Sequence, residues 1–169
     1  MTEETAVTGK PDWEIVPMTL EMAAEGNVLE SKCFSVPTSE NLLRTELLKP
    51  EAVYFAAVSE GKLVGYVGMQ SVLDEGYMMD LCVDPERRRE GIARALMERL
   101  LEGAEKAELS FVTLEVRVSN EPAKALYASL GFEQVGVRRD YYTSPVENAL
   151  LLTKYLGKEK EKDDDPSRN

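Results

Sequence analysis

Three stretches combine residue types and spacings that could carry chemistry. The first is Val83-Asp84-Pro85-Glu86-Arg87-Arg88-Arg89-Glu90-Gly91-Ile92-Ala93-Arg94-Ala95-Leu96. An apolar strand-like segment ends at Val83, and a helix-periodic segment begins near Gly91. The three arginines stand where a helix starts, the end at which cations are disfavoured by roughly 0.3–1 kcal/mol. A bound anion would account for them, because free backbone N–H groups at a helix start point at such a ligand, and Gly91 and Ala93 let it come close. A solvated basic turn is the alternative. The second stretch is Leu114-Glu115-Val116-Arg117-Val118-Ser119-Asn120. Alternation puts Leu114, Val116 and Val118 on one face of a strand and Thr113, Glu115 and Arg117 on the other. Glu115 is then either a general base at a cleft or half of an exposed Glu115–Arg117 pair. The third runs from Asn120 to Phe132: Asn120 reads as an N-cap, Pro122 fits the first turn, and Gly131 stops the helix. Tyr127 shares a face with Ala123 and Leu130, as a core aromatic with its hydroxyl at the rim.

Composition narrows what these residues serve. The chain has 169 residues, about one domain's worth. Its formal charge of −11 argues against nucleic acid as a partner and favours cationic ones. Histidine is absent, which removes Ser-His and Cys-His catalysis and makes a metal site unexpected. Cys33 and Cys82 lie far apart and read as reduced, partly buried thiols. No apolar run approaches the roughly 18 residues of a membrane span, and the N-terminus lacks an apolar signal core. A soluble, cytoplasmic protein with no membrane partner is expected, as a monomer or weak dimer.

The elements that would position the three stretches follow in order. Trp13–Pro17 is a strand. Thr19 caps a helix over Leu20–Phe34, and Ser39 begins another over Asn41–Leu48. Ala52–Val58 and Leu63–Leu73 are strands joined by a turn at Ser59–Lys62, and Asp74-Glu75-Gly76 turns into a strand over Tyr77–Val83. A helix covers Glu90–Ala107, with Ile92, Leu96 and Leu100 on one stripe and Ala93, Met97 and Leu101 beside it. Then come a strand (Phe111–Val118), a helix (Glu121–Leu130) and strands over Phe132–Arg138 and Glu147–Tyr155. This order predicts an α/β (α+β) mixed sheet with helices on both faces and one parallel crossover. Residues 1–12 are expected to form a flexible extension, 13–156 the domain, and 157–169 a disordered charged tail.

With the elements in place, Arg88-x-x-Gly91-x-Ala93, then Leu114-Glu115-Val116-Arg117-x-Ser119-Asn120, then Ala125-Leu126-Tyr127-x-Ser129-Leu130-Gly131-Phe132 resemble the GNAT family of acetyl-CoA-dependent N-acetyltransferases. With Arg138-Arg139-Asp140-Tyr141-Tyr142, they are most similar to its RimI-type branch, which acetylates the N-terminal alanine of ribosomal protein S18. The resemblance implies a twisted mixed sheet of about seven strands flanked by about four helices. It implies acetyl-CoA as co-substrate and no metal. The pyrophosphate would lie on the loop Arg88, Arg89, Glu90, Gly91, Ile92, Ala93 and Arg94. The pantetheine arm would pair with Leu81, Cys82 and Val83, and Asn120 would sit near the thiol end. Glu115 would be the general base and Tyr127 the general acid. Phe34, Tyr141 and Tyr142 would line the acceptor cleft, and the partner would be a basic protein N-terminus, of a ribosomal protein. The loop Cys33–Thr38 lacks the Pro-Trp pair common in that branch, which leaves open another amine (a lysine, another N-terminus, a polyamine or a small molecule) or a non-catalytic acetyl-CoA-binding module.

Overall fold

The computed structural model describes residues 10–157; residues 1–9 and 158–169, and with them most of the expected extension and tail, lie outside the described residues. Seven strands form one sheet: β1 (Trp13–Pro17), β2 (Val53–Ser59), β3 (Lys62–Val72), β4 (Glu75–Val83), β5 (Phe111–Arg117), β6 (Glu133–Tyr142) and β7 (Glu147–Tyr155). Their spatial order is β1-β2-β3-β4-β5-β7-β6. Four helices complete the fold: α1 (Ala23–Cys33), α2 (Glu40–Leu47), α3 (Ile92–Lys106) and α4 (Glu121–Ser129). None of the described helices is long and apolar enough to cross a membrane.

The strands alternate their side chains between two cores. On one face Ile92, Leu96, Met97 and Leu100 of α3 are buried with Val67, Met69, Val112 and Leu114. On the other, Ala23 and Leu29 of α1 and Leu43 of α2 pack on Tyr54, Ala56 and Tyr66. Glu60 and Gly61, both with positive φ (51° and 78°), make the tight β2–β3 hairpin, whose twist needs that conformation.

β4 pairs antiparallel with β3 along most of its length. Across the crossover helix α3 it also pairs with β5, in parallel, but only at Glu75–Phe111, Gly76–Val112 and Tyr77–Thr113. Beyond these three pairs the strands part. β5 keeps β7 as its other neighbour over all of Phe111–Arg117. A wedge therefore opens between the carboxyl ends of two parallel strands.

The structure corrects three local expectations. Leu20–Met22 is a separate 3₁₀ turn ahead of α1, and Thr19 does not cap it with its side chain. The Thr19 hydroxyl is taken up by the Glu21 carboxylate instead. The β3–β4 turn lies at Leu73 (φ 55°) and Asp74, with Glu75 and Gly76 already in the strand. Gly76 is there for packing: a Cβ would stand 2.9 Å from Met69 Sδ and 3.3 Å from the Phe111 carbonyl oxygen. β6 runs on to Tyr142, past the expected end at Arg138, because its pairing with β7 resumes at Tyr142–Glu147; its exposed, charged sequence carries no apolar alternation that would show this.

Two glycines give opposite outcomes on substitution. A Cβ on Gly68 would lie 2.0 Å from Tyr54 Cε2, so Gly68→Ala is expected to cost about 1–3 kcal/mol. A Cβ on Gly103 in α3 meets nothing closer than 3.6 Å, so Gly103→Ala should be neutral or stabilising by about 0.5–1 kcal/mol. Urea denaturation of the two variants beside the wild type checks both signs.

Candidate active site

The wedge between β4 and β5 is a cleft of about 500 Å³. Its walls are the end of α1 and the loop after it (Glu30, Cys33, Phe34, Ser35, Val36, Thr38), β4 (Met78–Leu81), β5 (Glu115, Val116, Arg117), α4 (Asn120, Ala123, Tyr127) and β6 (Tyr141, Tyr142, Thr143). Ser35 Oγ donates to the Ser144 carbonyl at 2.7 Å, tying the α1–α2 loop to the β6–β7 turn.

Glu115, Tyr127, Asn120, Phe34, Tyr141, Tyr142 and Leu81, all singled out in the sequence, meet in this one cleft. Glu115 does not pair with Arg117. Its Oε1 lies 3.2 Å from Arg138 Nε on β6, and its other oxygen has no partner among the described residues. Arg117 instead reaches Glu147 at 3.1 Å and lies over the Tyr142 ring at 4.4 Å. Tyr127 is buried as a core aromatic, edge-on to Phe132 at 5.7 Å. Its hydroxyl has no hydrogen-bond partner among the described residues and is not sealed from solvent. Burial, with Tyr142 nearby, raises its pKa well above the ordinary phenol value, so the proton stays on oxygen. Burial, Tyr141 and Glu115 push Tyr142 up to about 12. Asn120 caps α4 as expected, its Oδ1 accepting from Ala123 N at 3.2 Å, so that side-chain oxygen is already engaged.

The arginine-rich loop stands apart from the cleft. Gly91 (φ 83°) occupies the N-cap of α3 with no side-chain cap, leaving the first-turn N–H groups without a side-chain acceptor. A Cβ on Gly91 would meet nothing within 4 Å, so the backbone there faces open space. Arg87 needs no anion to explain it, since it pairs with Asp12 at 2.6 Å and Glu90 at 2.7 Å. That also ties up Glu90. Arg94 donates to Ser129 Oγ at 2.6 Å. Arg88 and Arg89 are exposed and make no ion pair among the described residues. The side chains of Ile92 and Cys82 are buried in the two cores, so only their backbone could meet a ligand. Past Tyr77 the outer edge of β4 has no strand beside it among the described residues, which leaves room for an extended chain. The Val83 carbonyl on β4 already accepts the Cys33 thiol.

Residues 20–132 match the family model described as the acetyltransferase (GNAT) family. The chain belongs to that family. It is an acetyl-CoA-dependent N-acetyltransferase. It is 36% identical over 126 residues to the ribosomal protein bS18-alanine N-acetyltransferase of Escherichia coli, which covers 73% of this chain and 84% of that one. It is 42% identical over 116 residues to the N-alpha-acetyltransferase RimI of Mycobacterium tuberculosis, covering 66% of this chain and 72% of that one. The crystal structure of the Escherichia coli ribosomal-protein-S18-alanine N-acetyltransferase superposes with a TM-score of 0.80 at 31% identity, over 86% of this chain and 94% of that one. For a GNAT enzyme, the open Gly91 turn, the uncapped start of α3 and the free β4 edge suit the phosphates and the extended arm of acetyl-CoA.

Two acids in the cleft were not anticipated from the sequence. Glu30 is 1% exposed, accepting from the Tyr66 hydroxyl and, at 2.9 Å, from Thr38 N. Asp80 lies across from it on β4. A signal existed for Glu30, which continues the inward stripe Ala23-Gly26; none existed for Asp80, because an irregularity in the β3–β4 register after Met78 turns Asp80 to the Cys82 side, away from the core that takes Met78. Burial, and the neighbouring Glu30 and Glu46, raise Asp80 from 3.8 to about 7. The folded protein thus keeps a proton that the unfolded chain has lost, so stability falls as pH rises between those two values. Asp80→Asn should remove that fall and be on the order of 2 kcal/mol more stable than wild type at pH 8, with little difference at pH 4. Denaturant titrations at the two pH values measure it.

Proposed function

We propose that this enzyme acetylates the N-terminal α-amine of a basic protein, with a ribosomal protein beginning in alanine as its acceptor. Glu115 serves as general base and Tyr127 as general acid. The observation that carries the reading is that Glu115, with one carboxylate oxygen unengaged, and Tyr127, with an unbonded hydroxyl, open on the same cleft where β4 and β5 part. The similarity to enzymes named for bS18-alanine N-acetylation supports the acceptor. So does the charge: a chain at −11 with Glu30, Asp80 and Glu115 in its cleft attracts an ammonium and a basic peptide.

Acetyl-CoA supplies the activated acyl thioester. The chain does the rest by holding and moving protons. The acceptor amine must be neutral to attack, and Glu115 accepts its proton directly or through a water. An α-amine has a reference pKa near 8 and a lysine near 10.4, so freeing the lysine costs roughly 3 kcal/mol more. A carboxylate base therefore suits an N-terminus. Tyr127, kept protonated by burial, donates to the departing sulfur. Phe34, Tyr141 and Tyr142 flank the cleft mouth as an apolar, aromatic wall for the first acceptor residues. The backbone of Arg88 to Arg94 holds the pyrophosphate, Leu81 to Val83 the pantetheine arm, and Asn120 lies near the thiol end.

Thiol release measured against three acceptors tests the reading: an alanine-started basic peptide, the same peptide blocked at its N-terminus with a free lysine, and spermidine. Turnover on the free N-terminus alone is expected; turnover on the lysine or spermidine would overturn the acceptor assignment. Glu115→Gln should lower kcat about 100-fold with acetyl-CoA affinity retained, and Tyr127→Phe should lower it about 10- to 100-fold. An unchanged rate in Glu115→Gln would shift the base to Asp80. Gly91→Val should weaken CoA binding at least about 10-fold by calorimetry, by blocking the backbone approach.

A further inference from the structure

The fold joins the two cysteines that the sequence holds apart. Cys33 ends α1, is partly exposed and lines the cleft. Cys82 is 3% exposed on β4, in the cluster between α1 and the sheet against which Cys33 packs. The Cys33 thiol donates to the Val83 carbonyl at 3.3 Å, and the Cys82 thiol hydrogen-bonds the Cys33 sulfur. The Arg88 guanidinium reaches that same sulfur. The acetyl-transfer scheme uses neither thiol.

We propose that Cys33 is a thiol-modification site with Cys82 as its resolving partner, reacting with low-molecular-weight disulfides that enter the cleft. The Cys33 thiolate attacks one sulfur of the disulfide RSSR, forming Cys33–S–SR and releasing RS⁻. The Cys82 sulfur then attacks the Cys33 sulfur, closing a Cys33–Cys82 disulfide and expelling the second RS⁻. The protons of the two cysteines end on two RSH molecules; the cysteine pair is oxidised by two electrons and RSSR is reduced by two.

The geometry divides the two roles. Attack on an external disulfide needs an accessible thiolate, and only Cys33 faces the cleft. The hydrogen bond from Cys82 and the nearby Arg88 charge, working against burial, hold the Cys33 thiol below its ordinary range. Burial and the Cys33 contact hold Cys82 well above it. Cys82 needs no access of its own, because Cys33 packs against the cluster that holds it and the Cys33 thiol bonds the carbonyl of Val83, the next residue along β4. The resulting bond would pin the end of α1 to β4 next to the Phe34–Thr38 loop, on the acceptor side of the cleft. This chemistry does not depend on which amine is the acceptor.

The test uses the reduced full chain exposed to oxidised glutathione near neutral pH, acid-quenched and read by intact mass and peptide mapping. The wild type is expected to lose two hydrogens and become resistant to alkylation at both cysteines, reversibly with dithiothreitol. Cys82→Ala should stop at a glutathione adduct on Cys33, and Cys33→Ala should stay unmodified. With the unmutated native protein, iodoacetamide should label Cys33 at least about 10-fold faster than Cys82. A wild type that is unchanged by oxidised glutathione, that stops at the glutathione adduct, or that labels Cys82 first overturns the proposal.

Discussion

β4 and β5 are parallel neighbours that stop hydrogen-bonding after Tyr77 and Thr113, and the rest of the site depends on that separation. Unpaired strand edges are costly unless something satisfies them, so each strand is secured on its other side. β3 holds β4 and β7 holds β5, each through a long antiparallel ladder. The apolar crossover helix α3 packs beneath both and keeps the opening wedge from collapsing onto itself. α4, capped by Asn120 and ended at Gly131, brings Tyr127 into the gap. The α1–α2 loop closes it from the other face through the Ser35–Ser144 hydrogen bond.

Charge is sorted along this wedge. Basic side chains gather at the start of α3, where the exposed Arg88 and Arg89 make no ion pair among the described residues and stand beside uncapped backbone amides. Acids gather inside: Glu30, Asp80 and Glu115 share the cleft, and the cost of burial and of the neighbouring Glu30 and Glu46 appears in the raised Asp80 carboxyl. Such an arrangement suits an anionic co-substrate at one end and a cationic acceptor at the other. The remaining arginines of the region are used for construction. Arg117 ties β5 to Glu147 and stacks on Tyr142, and Arg138 links β6 to Glu115. Asn148 Oδ1 accepts from Asp140 N at 2.9 Å, holding the irregular stretch of β6 that presents Tyr141 and Tyr142.

Much of the architecture was legible because local rules and global fold agree. The period of Ile92, Leu96 and Leu100, the cap at Ser39, the stop at Gly131 and the alternation of Val112, Leu114 and Val116 each need only near neighbours to read. Misreadings came where a side chain found a partner that local rules do not weigh. Thr19 chose the Glu21 carboxylate over the backbone, and Gly76 answers to Met69 across the sheet rather than to a turn.

The sequence by itself determined the order of elements, the family motifs and the residue types available for proton transfer, since these depend on spacing along one chain. Only the tertiary structure decided which charges meet. It paired Glu115 with Arg138 instead of Arg117, set Glu30 against Asp80, and laid Cys82 behind Cys33. Each of these joins residues on different elements, and whether two side chains touch across a sheet or a cleft is fixed by strand order and helix docking, which no local pattern encodes.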